Sequence, residues 1–150
     1  MNQLINFTEL GADAGEPTEV PIEKDNQMKS VYSIYLSGKI TGDPQYLEKF
    51  AVVAHELRIT YPQATVFNPA YEFSEIADEL YKSGADEETQ HRILIKMCLK
   101  MLKEYEAIAL MPDWVESRGA AAELNAALER GMTIVRLTEE WMPKDDEAGN

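Results

Sequence analysis

Apolar residues recur in two alternating rhythms along this chain. Val31 to Ser37 is a short run of strand-forming residues closed by Gly38. Leu47, Phe50, Ala54, Leu57 and Tyr61 then recur at helical spacing, and Pro62 ends that helix. Ala64 to Phe67 predicts a second strand, closed by Asn68-Pro69. Glu72 to Lys82 predicts a short, weaker helix. A longer helix starts near Asp86 and carries Leu94, Met97, Met101, Leu102 and Tyr105 along one stripe. Ala107 to Met111 predicts a third strand, stopped by Pro112. Ser117 to Arg130 predicts a helix with Leu124, Ala127 and Leu128 inward, ended by Gly131. Thr133 to Leu137 predicts a fourth strand.

Strands alternating with helices imply a parallel sheet with right-handed crossovers, an α/β domain with helices on both faces. Ligands of such sheets lie beyond the carboxyl ends of the strands. The loops after Ser37, Phe67 and Met111 are therefore the places to look for chemistry. The flanks read differently. Residues 1–30 are acidic and turn-rich around Gly11 to Pro17 and predict a partly ordered extension, with Thr18 to Ile22 a possible edge strand. The domain spans 31–141, and 142–150 predicts a disordered acidic tail.

Composition narrows the function. The chain has 150 residues, 45% of them hydrophobic, enough for the core of one domain. Its 14 Lys and Arg stand against 27 Asp and Glu, a net charge of −13. Such a surface repels nucleic-acid polymers, although a local loop can still hold one phosphate. No apolar run approaches the ~20 residues that span a membrane. No signal peptide is evident, and the single cysteine fits a reducing compartment, so the expectation is a cytoplasmic protein. His55 and His91 read as polar-face residues without a ligand cluster, so no metal is expected.

Two loops stand out. In Ser37-Gly38-Lys39-Ile40-Thr41-Gly42 the glycines allow backbone N–H groups close to a ligand, or simply make a tight turn. In the segment from Asp113 to Glu123, Ser117 is a candidate N-cap. Ser117, Arg118 and Gly119 open a helix whose free N–H groups favour an anion. Glu123 lies between Ala120 and Ala127 on one face, where a carboxylate could act as nucleophile or base, or could be an exposed side chain of a capped helix. Asn68 fits a ligand contact or an ordinary turn opener, and Trp114 a base-stacking lid or a surface anchor.

Tyr35 to Gly42, Asn68-Pro69-Ala70, and Asp113-Trp114 with Ser117-Arg118-Gly119-Ala120 and Glu123 together resemble the nucleoside 2-deoxyribosyltransferase-like superfamily. The resemblance extends from Val31 to Leu137. It is closest to a branch found in bacteria and their viruses, similar to the 2′-deoxynucleoside 5′-phosphate N-hydrolases. It implies a flavodoxin-like, doubly wound sheet of four to five strands in a three-layer sandwich, and a metal-free, cofactor-free reaction. Glu123 would attack C1′ of the deoxyribose and expel the base, with Tyr35 beside it. Tyr35 fits core packing equally well. Ser117 and Gly119, with Ser37, Gly38, Lys39 and Ile40 of the first loop, would hold a 5′-monophosphate. Asn68, Asp113 and Trp114 complete the expected substrate contacts.

Two positions depart from that pattern. Cys98 stands where members of the superfamily carry an aspartate that positions the nucleophile, and Thr41 where hydrolases often carry a phosphate-binding arginine, a role Lys39 could take. The expected function is thus an N-glycosidase or deoxyribosyltransferase acting on a small nucleotide. The alternative is a non-catalytic nucleotide binder using the same pocket. The resemblance further implies a homo-oligomer.

Overall fold

A computed structural model describes residues 28–144; the rest of the extension and tail, and with them the possible strand at Thr18 to Ile22, lie outside the described residues. Strand β1 (Ser33–Ser37) is followed by α1 (Tyr46–Thr60) and β2 (Thr65–Phe67). Helices α2 (Pro69–Glu72), α3 (Ser74–Lys82) and α4 (Glu87–Leu102) then lead to β3 (Ala107–Leu110). A 3-10 turn (Pro112–Glu116), α5 (Arg118–Arg130), β4 (Thr133–Arg136) and a last 3-10 turn (Glu139–Trp141) complete the chain.

All strand pairs are parallel, in the order β2-β1-β3-β4. This is an α/β fold of the flavodoxin-like kind, with helices on both faces of the sheet. Alternation along the strands divides the core in two. Ile34, Leu36, Val66, Ala107, Ala109 and Val135 face α1, where Phe50, Val53, Ala54 and Leu57 cover them. Tyr35, Ile108 and Leu110 face the other way, toward Cys98 and Leu102 of α4 and Ala127 of α5. The chain winds outward in one direction from β1 to β2 and in the other from β3 to β4. The carboxyl ends of β1 and β3, where Ser37 pairs with Leu110, are therefore the topological switch point.

Local chemistry sets several boundaries. The Asp86 side chain accepts the Thr89 N–H at 2.7 Å and caps α4. Ser117 accepts the Ala120 N–H at 3.1 Å and caps α5, as predicted. Gly131 closes α5 in the left-handed region, φ 72°, again as predicted. Other expectations need correction. Leu47 and Leu128 are exposed, because the buried stripes of their helices run through Lys49–Val53–Leu57 and Ala120–Glu123–Ala127 instead. The helix expected over Glu72 to Lys82 is two helices broken at Phe73. Met28 is buried in the α1-side core, and Met142 packs against it.

Candidate active site

The site is built where the two halves of the sheet diverge. Tyr35 and Ser37 are two residues apart on β1, so both point to the α4/α5 side. Glu123 lies little more than one turn inside α5, on the face that packs against the sheet. The three side chains meet there. The Tyr35 hydroxyl donates to Glu123 Oε2 at 2.6 Å, and the Ser37 hydroxyl donates to Glu123 Oε1 at 2.5 Å. Glu123 is only 6% exposed. Burial raises its pKa, while the bonds from Ser37, Tyr35 and Cys98 pull in the opposite direction and favour the charged form.

Cys98 completes the cluster from α4, its thiol interacting with both Tyr35 and Glu123. Burial first, and the Glu123 charge second, push its thiol up to about 12, so it stays protonated. Burial likewise carries the Tyr35 hydroxyl well above its ordinary range, with the Glu123 charge adding to the effect. Two neutral hydroxyls and a neutral thiol thus hold one buried carboxylate.

Above this carboxylate opens a cavity of about 390 Å³. That volume lies within the range of small-molecule sites, ~300–1,000 Å³. Ser37, Gly38, Ile40 and Thr41 of the first loop line it on one side, and Ser117, Arg118, Gly119, Ala120 and Glu123 of α5 on another. Gly38 and Gly119 both sit where the backbone packs closely. A Cβ on Gly38 would meet Met111 Cε at 2.5 Å, and one on Gly119 would meet Ile95 Cδ1 at 2.7 Å. These glycines therefore bring protein segments together as well as edging the cavity.

Several predicted contacts lie elsewhere. Tyr35 stands behind Glu123 rather than on the cavity wall, fully buried and stacked on Phe67 at 5.5 Å. Its packing and its hydrogen bond are both real, so the two readings of this residue coexist. The Lys39 ammonium bonds Glu116 at 3.0 Å, which raises its pKa, and the residue is not among those lining the cavity. The Asn68 side chain accepts the Tyr71 N–H at 3.2 Å and caps α2. Trp114 packs against the core on the α4/α5 side, because the 3-10 turn folds it inward. Both oxygens of Asp113 are occupied, one by the Lys39 N–H at 3.1 Å and the other by Lys49 Nζ at 2.6 Å. Asn68, Trp114 and Asp113 therefore shape the site without lining it.

Other lining residues were missed. Gln90, His91, Leu94 and Ile95 form a wall from the first half of α4, and His91 belongs to it rather than to a solvated face. The i, i+4, i+7 spacing from His91 through Ile95 to Cys98 was the available signal. Arg118 lines the cavity too, although its guanidinium is held by Glu88 at 3.2 Å on the rim. The buried Lys49 was missed as well; its place in helical phase with Val53 and Leu57 could have shown it. Among the described residues no group of three or more His, Cys, Asp or Glu side chains could hold a metal ion, and no helix is long and apolar enough to cross a membrane.

Fold and site together define a doubly wound α/β domain with a buried carboxylate beneath a cavity at its switch point. The chain belongs to the family described as Domain of unknown function (DUF4406), whose model matches residues 32–136. No curated protein and no solved structure matches it.

Proposed function

We propose that this protein is a nucleoside 2-deoxyribosyltransferase-like enzyme. It would cleave the bond between base and deoxyribose in a 2′-deoxynucleoside 5′-monophosphate, as an N-hydrolase or a deoxyribosyltransferase. The observation that carries this reading is Glu123: a carboxylate 6% exposed, gripped by Tyr35 and Ser37, at the floor of a cavity sized for a small ligand. Structural carboxylates are seldom buried without a cation, because desolvation opposes the charge. A reacting carboxylate gains from such a site, where two donors fix its orientation and water is scarce.

In the proposed reaction Glu123 attacks C1′ and the C1′–N bond breaks, its electron pair leaving with the base, which takes up a proton. A glycosyl ester on Glu123 results. Water then attacks C1′ and loses a proton to solvent, the ester bond breaks, and the carboxylate is restored. A second base in place of water gives transfer. The 5′-phosphate would lie toward the first turn of α5, at the N–H groups of Arg118 and Gly119 and near the Arg118 side chain. The nucleophile must be ionised, so kcat/KM should fall on the acid side at a pH above the ordinary glutamate range, following its raised pKa.

The test is release of free base from each deoxynucleoside monophosphate, followed by chromatography, with Glu123→Ala as control. Release by the wild type that exceeds the control by about 10³-fold or more is expected. Release no greater than the control, for every substrate, ends the hydrolase reading. A second reading, a nucleotide binder without turnover, is favoured by Cys98 beside Glu123, since a thiol near 12 is a poor proton donor.

Association into a homo-oligomer belongs to the same proposal. Helix α3 has no buried residue, and its Ile76 and Tyr81 are exposed, as is Tyr71 of α2. Light scattering should therefore give a particle at least twice the 17.0 kDa chain mass; a monomer at micromolar concentration would refute it.

A further inference from the structure

Lys49 lies on the buried face of α1 and is 6% exposed, yet it does not line the cavity. A buried ammonium persists only where its protons are all taken. Here Nζ donates to the Lys39 carbonyl oxygen at 2.7 Å, to Asp43 Oδ2 at 2.6 Å and to Asp113 Oδ2 at 2.6 Å. Asp113 Oδ1 in turn accepts the Lys39 N–H at 3.1 Å, which closes a ring through Lys49, Lys39 and Asp113. Asp43 is tied further by accepting the Gln45 N–H at 3.0 Å. Burial pushes the Asp43 carboxyl up, but the Lys49 and Gln45 bonds prevail and hold it below its usual range.

The groups gathered on this one nitrogen come from two different walls of the cavity. Lys39 and Asp43 belong to the loop after β1, which contributes Gly38, Ile40 and Thr41 to the lining. Asp113 belongs to the 3-10 turn after β3, which contributes Glu116 and runs into Ser117 and Gly119. We propose that Lys49 is a positioning residue: its ammonium fixes the spacing between these two segments, and so the width of the cavity above Glu123. The inference rests on the reading of that cavity as a substrate site. An arginine cannot replace it, because a planar fork does not offer three protons from a single nitrogen to three separate directions.

Two variants separate positioning from folding. Lys49→Met removes the charge and leaves the partly exposed Asp43 and Asp113 facing each other without their cation, so it carries a risk of unfolding. Asp113→Asn is a neutral isostere that can accept from Lys39 or from Lys49 but not from both. Amide hydrogen exchange reads the loops without any ligand. Each folded variant should exchange the Lys39 and Gln45 amides at least tenfold faster than wild type, while Tyr35 on β1 stays unchanged. With the deoxynucleotide that the wild type turns over, KM should rise at least tenfold and kcat change less than threefold, because Glu123, Tyr35 and Ser37 are untouched. Unchanged exchange at both loop amides in Asp113→Asn overturns the proposal, as does faster exchange with an unaltered KM. A wild type that neither binds nor cleaves any deoxynucleotide overturns the reading of the cavity instead, and the exchange data still decide whether Lys49 joins the two segments.

Discussion

Replacing Glu123 with glutamine should make the protein more stable at neutral pH while removing the proposed turnover. The carboxyl is buried, and its pKa is raised in the folded state, with burial as the leading cause. Between the ordinary glutamate value and the raised one, the folded chain holds the proton and the unfolded chain does not. Stability therefore falls as pH rises through that window, and the full penalty remains above it. Below the ordinary value both states are protonated and the penalty vanishes. Glutamine stays neutral throughout, and its amide can accept from Tyr35 and donate to Ser37, preserving both partners. A gain of about 1–3 kcal/mol at pH 8 is expected, because the neutral amide avoids the cost of burying a charge that has no cation beside it. Thermal melts at pH 4 and pH 8 check it: the variant should melt several degrees higher at pH 8, with the gap shrinking at pH 4. Equal gaps at both pH values would remove burial of the charge as the cause. Turnover should drop by about 10³-fold or more, since the amide is no nucleophile.

Cys98→Asp is the second large effect, and it divides the enzyme from the binder. The side chain is 8% exposed and interacts with the Glu123 carboxylate and the Tyr35 hydroxyl, the centre proposed to react. An aspartate there would put a second carboxyl against Glu123, and the pair would share one proton over a wide pH range. The protein should lose about 2–4 kcal/mol at pH 7. By the same linkage, part of that loss should return as the pH falls and both carboxyls are protonated. On the proposed reaction, the shared proton would also supply what the thiol cannot, an acid close to the leaving base. If the thiol is what limits turnover, kcat should rise by about 10²-fold, the lower end of general acid catalysis. Cys98→Ser is the control, similar in size and with no such acid. A folded Cys98→Asp protein that binds nucleotide in calorimetry but gains no turnover would favour the binder.

The pattern of the chain was legible where local chemistry dominates. Ser117 and Gly131 announced the ends of α5 correctly, because capping depends on a side-chain oxygen and on a left-handed residue, both local properties. The candidate nucleophile was legible in part, since Ala120 and Ala127 flank Glu123 on one face. What could not be read was which groups were already taken. Asp113 and Lys39 resemble ligand contacts in one dimension, but their partners lie 64 and 77 residues away in sequence, whereas Asn68 caps through a partner three residues on, its local turn-opener reading. Leu128 likewise fits an inward stripe by spacing, and becomes exposed because the small residues Ala120 and Ala127 carry the contact with the sheet.

The sequence by itself determined the parallel α/β order and the strand ends at which a site belongs, because periodicity and crossover handedness are set over short stretches of chain. It also placed Ser37 at the first of those ends and Glu123 on the helix that follows the third, without deciding whether Glu123 points inward. Only the tertiary structure decided that Tyr35, Ser37, Cys98 and Glu123 form one cluster, that α4 supplies a wall, and that Lys49 joins the two loops. Those facts depend on how far apart two helices and a sheet settle, and that spacing is fixed by packing across the whole core rather than by any local run of residues.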